Sequence, residues 1–254
     1  MDVILTAGGM PTPEDPLYPY CNGLPKAMIP IGEKPMIQWV LDALAAAKTI
    51  DRVVLIGLSD KIQVDYPREI VRIEDQGSMV GNIMAAAKTL LAFENPGKYA
   101  LVAASDIPSV TPQAIDWISE QTVKSQKDLV YTVVTQTVME KRFPGSKRSY
   151  IPLKDMKICG GDVNAICLAN VNYDNPMWRK LIDARKNALK QASLLGFGTL
   201  LMILFKALTL AQAEKRICKQ LDVNGMVLPS PYAELAMDID KPSQLELLRN
   251  DLTK

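Results

Sequence analysis

The chain has 254 residues, 48% hydrophobic and 22% charged, with 29 basic side chains against 28 acidic ones and no histidine. Such a chain can bury a full core as one large α/β domain or two small ones, and it has no positive excess with which to hold a nucleic acid. Without histidine, Ser-His and Cys-His catalysis and His-ligated zinc are excluded, so any chemistry rests on carboxylates, amines, hydroxyls and metal.

Residues 2–7 read as an apolar strand running into Gly8 and Gly9. Paired glycines at a strand's end let backbone amides point at an anion, because no Cβ blocks the ligand, although a tight turn needs the same residues. A proline-rich stretch, 10–16, carries Glu14 and Asp15, and the chain then returns with Lys26, a compact positive charge suited to phosphate. Helical and strand-like patterns alternate from here: 35–48 helix, 52–58 strand, 78–93 helix, 99–104 strand and 112–124 helix. Alternation of this kind predicts an α/β fold, a Rossmann-like and mostly parallel sheet sandwiched by helices. Strands at 129–135 and 163–171 extend the sheet, with the basic and polar 140–156 segment between them as an inserted loop or hairpin.

The first strand-end carboxylate is Asp106, in Ser105-Asp106-Ile107-Pro108, which the parallel arrangement places on the same sheet edge as Gly8 and Gly9. A carboxylate beside a phosphate is repulsive unless a cation bridges them, so Asp106 is a Mg²⁺ ligand or else a cap for the helix that opens near Pro112, where Thr111 stands closer. Asp238 and Asp240 alternate with apolar residues and project to one side if extended; one completes the metal site, or one caps the helix after Lys241-Pro242. Asp75-Gln76-Gly77-Ser78 and Asn82 cluster ahead of a helix, either to bond the edge of a base or as a simple loop-to-helix junction with Ser78 as cap.

Residues 175–219 read as helices alone, giving one domain over 1–254 with a helical insertion at 175–228 and a last helix after Asp240. The 194–205 window is strongly apolar but falls short of the roughly 20 residues that cross a bilayer. It reads as a buried helix, so no membrane partner is expected, with a surface helix that docks a membrane or a partner, including a second copy, as the alternative. Four cysteines without CxxC pairing and no cleavable segment before the first strand suggest buried thiols and a cytoplasmic setting.

Taken together, Ala7-Gly8-Gly9, Pro25-Lys26, Pro30-Ile31 and Lys34-Pro35-Met36-Ile37 resemble the amino terminus of nucleotidyltransferases that activate sugar phosphates or cofactor precursors. Ser105-Asp106-Ile107-Pro108 is similar to their metal-binding turn, and Asp240-Lys241-Pro242-Ser243-Gln244-Leu245 to the ending of their molybdenum-cofactor and isoprenoid-precursor branches. The resemblance implies the nucleotide-diphospho-sugar transferase type of fold. It also implies transfer of a nucleoside monophosphate from a nucleoside triphosphate to a phosphorylated small-molecule acceptor, with pyrophosphate released. On this resemblance Lys26 and Asp106 are catalytic, and Asp106 and Asp240 hold Mg²⁺. Ala7, Gly8, Gly9, Gln76, Gly77, Ser78 and Asn82 bind the nucleotide, while Arg148, Gly161, Asp162 and Asn164 face the acceptor. One departure stands out, since the family's glycine loop usually carries an arginine where this chain has the acidic 10–16 segment. Either that loop folds away, or Lys34 or Arg148 substitutes, or the protein is a catalytically impaired nucleotide binder or sensor. A dehydrogenase is disfavoured, because no Gly-x-Gly-x-x-Gly follows the first strand.

Overall fold

A computed structural model describes residues 1–172, 174–184, 194 and 196–253. Strands β1 (Asp2–Thr6), β4 (Val53–Ile56) and β6 (Tyr99–Ala104) are apolar at nearly every position and buried on both faces, which is how the inner strands of a helix-covered sheet read. Alternation along β1 divides the core in two. Val3 and Leu5 pack with helices α2 (Met36–Ala46) and α4 (Pro112–Ser125) on one face, and Ile4 packs with α3 (Met79–Leu91) and α6 (Pro176–Ala184) on the other.

The spatial order begins with β5 (Ile70–Ile73), β4, β1 and β6 and continues through β10 (Val163–Cys167), β7 (Leu129–Thr135), β9 (Lys157–Gly160) and β8 (Ile151–Pro152), with β11 (Gly225–Ser230) on the remaining side of β7. β5, β4, β1 and β6 run parallel, as does β11 beside β7, whereas β10 runs antiparallel between β6 and β7. The sheet is therefore mixed but mostly parallel, with helices on both faces. The inserted 140–156 segment closes as a hairpin, since β8 pairs antiparallel with β9 and β9 with β7. A small separate pair, β2 (Pro30–Ile31) and β3 (Lys34–Pro35), follows Lys26.

Caps stop the helices where the sequence signals them. Ser78 accepts from Gly81 at α3, and Thr111 accepts from Ala114 at α4. In the 175–228 segment helices α6, α7 (Phe197–Leu204) and α8 (Leu210–Leu221) form as expected, while 173, 185–193 and 195 lie outside the described residues. The 194–205 window is not the buried helix expected, because α7 turns only one side inward and leaves Leu201, Leu204 and Phe205 exposed. The last residues of the 175–228 segment also differ from the expectation, because Gly225–Leu228 open β11. Pro229 masks that strand in the sequence, yet proline is tolerated on an edge strand, and among the described residues β11 pairs with β7 alone.

A further apolar cluster ties three remote stretches together: Leu17, Ile29 and Ile31 near the amino terminus, Met139 of α5 (Gln136–Arg142) with Phe143 just after it, and Met237, Ile239 and Leu245 near the carboxyl terminus. This cluster fixes Lys26 and residues 238–240 against the sheet edge. No helix among the described residues is long and apolar enough to cross a membrane.

Candidate active site

The carboxyl ends of the parallel strands carry the site. β1 leaves through Gly8 and Gly9, where Gly9 takes φ +138, and the chain returns so that the Lys26 amide donates to the Gly9 carbonyl at 3.3 Å. The partner of this turn is Gly57, which the sequence reading passed over although it ends the apolar run of β4. A Cβ on Gly57, at φ +91, would stand 2.5 Å from the Gly8 Cα, so the two strand exits touch backbone to backbone.

Lys26 points into this edge, and its Nζ donates to Asp106 Oδ2 and to Asp240 Oδ1, each at 2.7 Å. Neither aspartate is a cap. Thr111 caps α4, and the Gln244 side chain accepts from the Asp240 and Lys241 amides ahead of α9 (Pro242–Leu252). Met237 and Ile239 turn into the core, so Asp238 and Asp240 face the site together, and the Ile239 amide donates to the Asp106 carbonyl at 3.0 Å. Burial pulls the Lys26 ammonium down, but Asp106 and then Asp240 outweigh that effect and hold it above lysine's ordinary range.

A second cation closes the group. Arg148 pairs with Asp238, lies 3.8 Å from Asp162 Oδ2 and donates to the Gly160 carbonyl, while its Nε is buried without a hydrogen-bond partner. The Asp162 amide and carbonyl are held by Leu235 and Ala104, which sets its carboxyl beside the Asp106 turn. Burial, with Asp106 and Asp240 adding to it against Arg148 and Lys26, pushes that carboxyl up to about 7. Four carboxylates thus surround two cations, an excess of negative charge that a divalent cation would relieve. The donors suit Mg²⁺, a hard ion that takes one or two carboxylates and fills its shell with phosphate oxygens and water. Among the described residues no group of three or more His, Cys, Asp or Glu side chains is placed to hold a metal ion by itself.

Other expected site residues serve the scaffold. Asn82 is buried, donates to Asp75 Oδ1 and accepts from the Gln76 amide, so it shapes the 75–78 loop rather than facing a ligand. Gly77 takes φ +73 in that loop, its amide donating to Asp75, and Gln76 is exposed, its amide nitrogen on the Glu74 carbonyl. Asn164 fills the gap where β7 changes partner from β10 to β9: its Oδ1 accepts from the Thr132 amide and its Nδ2 donates to Gly161. Gly161 packs against Thr132, which leaves no room for a Cβ. Arg148 and Asp162 are the members of the expected acceptor set that reach the site. Lys34 is bound by Asp42 at 2.7 Å and lies over Trp39, so it does not replace the missing arginine.

A family model for the MobA-like NTP transferase domain matches residues 7–220. Among solved structures, one described as a hypothetical transferase from Thermus thermophilus is 28% identical, with TM-score 0.80 over 96% of this chain and 98% of that one. A CMP:2-keto-3-deoxy-manno-octonic acid synthetase complexed with CTP shares the fold at 12% identity and TM-score 0.58, covering 99% of this chain and 98% of its own. So does molybdopterin-guanine dinucleotide biosynthesis protein A from Archaeoglobus fulgidus, at 15% identity and TM-score 0.53 over 100% and 99% of the two chains. Comparison with curated protein sequences returns no match.

Proposed function

Because the chain belongs to the MobA-like NTP transferase family, we propose that it moves a nucleoside monophosphate from a nucleoside triphosphate to a phosphorylated small-molecule acceptor, with Mg²⁺ dependence and release of pyrophosphate. The observation that carries this reading is the Lys26 ammonium bonded at once to Asp106 and Asp240 at the edge where Gly8 and Gly57 leave the sheet. Those carboxylates come from 80 and 214 residues away. Their convergence on one lysine beside a glycine turn suits a triphosphate better than it suits a structural ion pair.

In the reaction an oxygen of the acceptor phosphate bonds to the α-phosphorus as the bond to the bridging oxygen breaks, and pyrophosphate leaves on the opposite side. Asp106 and Asp240 would hold Mg²⁺, which when bound neutralises charge on the phosphates. Lys26 adds positive charge at the same point, and the Gly8-Gly9 turn lets the backbone approach closely. No proton-abstracting base is required, because an acceptor phosphate is already ionised at neutral pH. Arg148, held by Asp238, and Asp162 line the acceptor side. A cytoplasmic setting suits the four free thiols.

Pyrophosphate release is the test, measured with each of the common nucleoside triphosphates, Mg²⁺ and a panel of phosphorylated acceptors. Activity lost in Lys26→Ala and Asp106→Asn is the expected result. The 10–16 loop supports a second reading, a nucleotide binder without turnover, since it carries Glu14 and Asp15 in place of the arginine usual in the family's glycine loop. Nucleotide-dependent thermal stabilisation without pyrophosphate from any pair would favour that reading.

A further inference from the structure

Helices α7 and α8 form an antiparallel hairpin, with Gly196 at the start of α7 against Gln220 near the end of α8. The hairpin packs inward through Ile203 and Leu210, which join Val133, Leu153 and Ile158, while Ala213 and Leu221 are buried. Its outward side is unlike the rest of the surface. Leu201, Leu204 and Phe205 stand 54%, 70% and 75% exposed at the end of α7. Lys206 follows them, held at φ +54, and the exposed face of α8 presents Lys215, Arg216 and Lys219. Among the described residues none of these cations makes an ion pair. The acids nearby are fewer: Glu214 is half-buried with its carboxylate on the Val227 amide, Asp155 accepts from the Leu210 amide, and Asp222 is exposed just past the end of α8.

We propose that this outward face of the α7–α8 hairpin docks on an anionic lipid bilayer, with Leu201, Leu204 and Phe205 entering the acyl boundary and Lys206, Lys215, Arg216 and Lys219 meeting the headgroups. Charge decides the occupant. Protruding apolar side chains beside four cations that make no ion pair among the described residues, against two acids on α8 or just past its end, match a surface that is apolar inside and negative at its rim. A second copy of the chain matches poorly, because a two-fold contact would set the cations of the patch against their own counterparts. The local charge is an asymmetry of placement, since the whole chain is balanced to +1. The proposal is independent of the reaction assigned above.

Co-sedimentation of the full chain with vesicles tests it, using phosphatidylcholine alone and phosphatidylcholine mixed with phosphatidylglycerol. The expected result is pelleting with the mixed vesicles only, weakened by added salt. Phe205→Ser and Leu204→Ser each lower the partition coefficient by about ten-fold, and Lys215→Gln and Arg216→Gln by about five-fold each. Lys88→Gln, on the exposed side of α3, leaves it unchanged. All these positions are exposed, and an unaltered melting temperature verifies folding. Equal pelleting with both vesicle types, no pelleting with either, or full binding by Phe205→Ser overturns the proposal. So does a dimer in sedimentation velocity that Phe205→Ser dissolves without any vesicle binding, which would give the patch to a second copy.

Discussion

Gly57→Ala separates the contact between two strand exits from simple backbone strain. A Cβ at position 57 would lie 2.5 Å from Gly8 Cα and 2.6 Å from Gly8 N, and the residue sits at φ +91. The left-handed conformation costs an L residue about 1–2 kcal/mol. The neighbour in the way is main chain, which cannot swing aside like a side chain, so Gly8 must move, at a further cost of about 1–3 kcal/mol. For a chain of this length the sum corresponds to a fall in melting temperature of roughly 4–10 °C. Moving Gly8 also disturbs the turn that Lys26 closes, so triphosphate affinity falls with stability. Gly9→Ala is the control, because at φ +138 its Cβ meets nothing within 4 Å and only the backbone cost applies. Thermal unfolding and nucleotide titration of the two variants give the answer. Equal losses of stability in both would refute the argument from the Gly8–Gly57 contact.

Lys26→Met should cut pyrophosphate release by about 10²–10³-fold, as expected when a charge aimed at the reacting phosphates is removed, read from initial rates at saturating nucleotide. Arg52→Ala strands Asp2, a fully buried carboxylate that Arg52 clamps at 2.8 and 3.0 Å, and should cost about 3–5 kcal/mol in denaturant unfolding. Asp162 has a folded-state value raised to about 7 from 3.8, so the stability linked to its protonated form is complete below the unfolded value and is lost as pH rises through about 7. Asp162→Asn cannot ionise and should therefore gain on the order of 4 kcal/mol over the parent protein above neutral pH, and little in mild acid. Melting curves across that range check the sign. Asn82→Ala should loosen the 75–78 loop, slowing nothing in the core but speeding amide exchange at Gln76 and Gly77.

Local pattern determined much of this protein. Continuous apolar runs in β1, β4 and β6 announce strands covered on both faces, helical periodicity and the Ser78 and Thr111 caps place α3 and α4, and strand-end position marks Gly8 and Asp106. Such features are legible because burial periodicity and capping are properties of neighbouring residues. Residue type nominates Lys26 and one of Asp238 and Asp240, and family resemblance chose Asp240 and joined it to Lys26, which no spacing rule would have done. Only the tertiary structure decided which polar groups are free to act. It spends Asn82 and Asn164 on backbone amides, binds Lys34 to Asp42, keeps Arg148 and Asp162 at the site, and gives Asp238 a role opposite Arg148. It also turned β10 antiparallel and made a strand of Gly225–Ser230. A side chain's partner depends on the paths of loops that meet across the whole chain, and those paths are set by long-range packing, here the cluster joining Leu17, Phe143 and Ile239, rather than by the residues on either side.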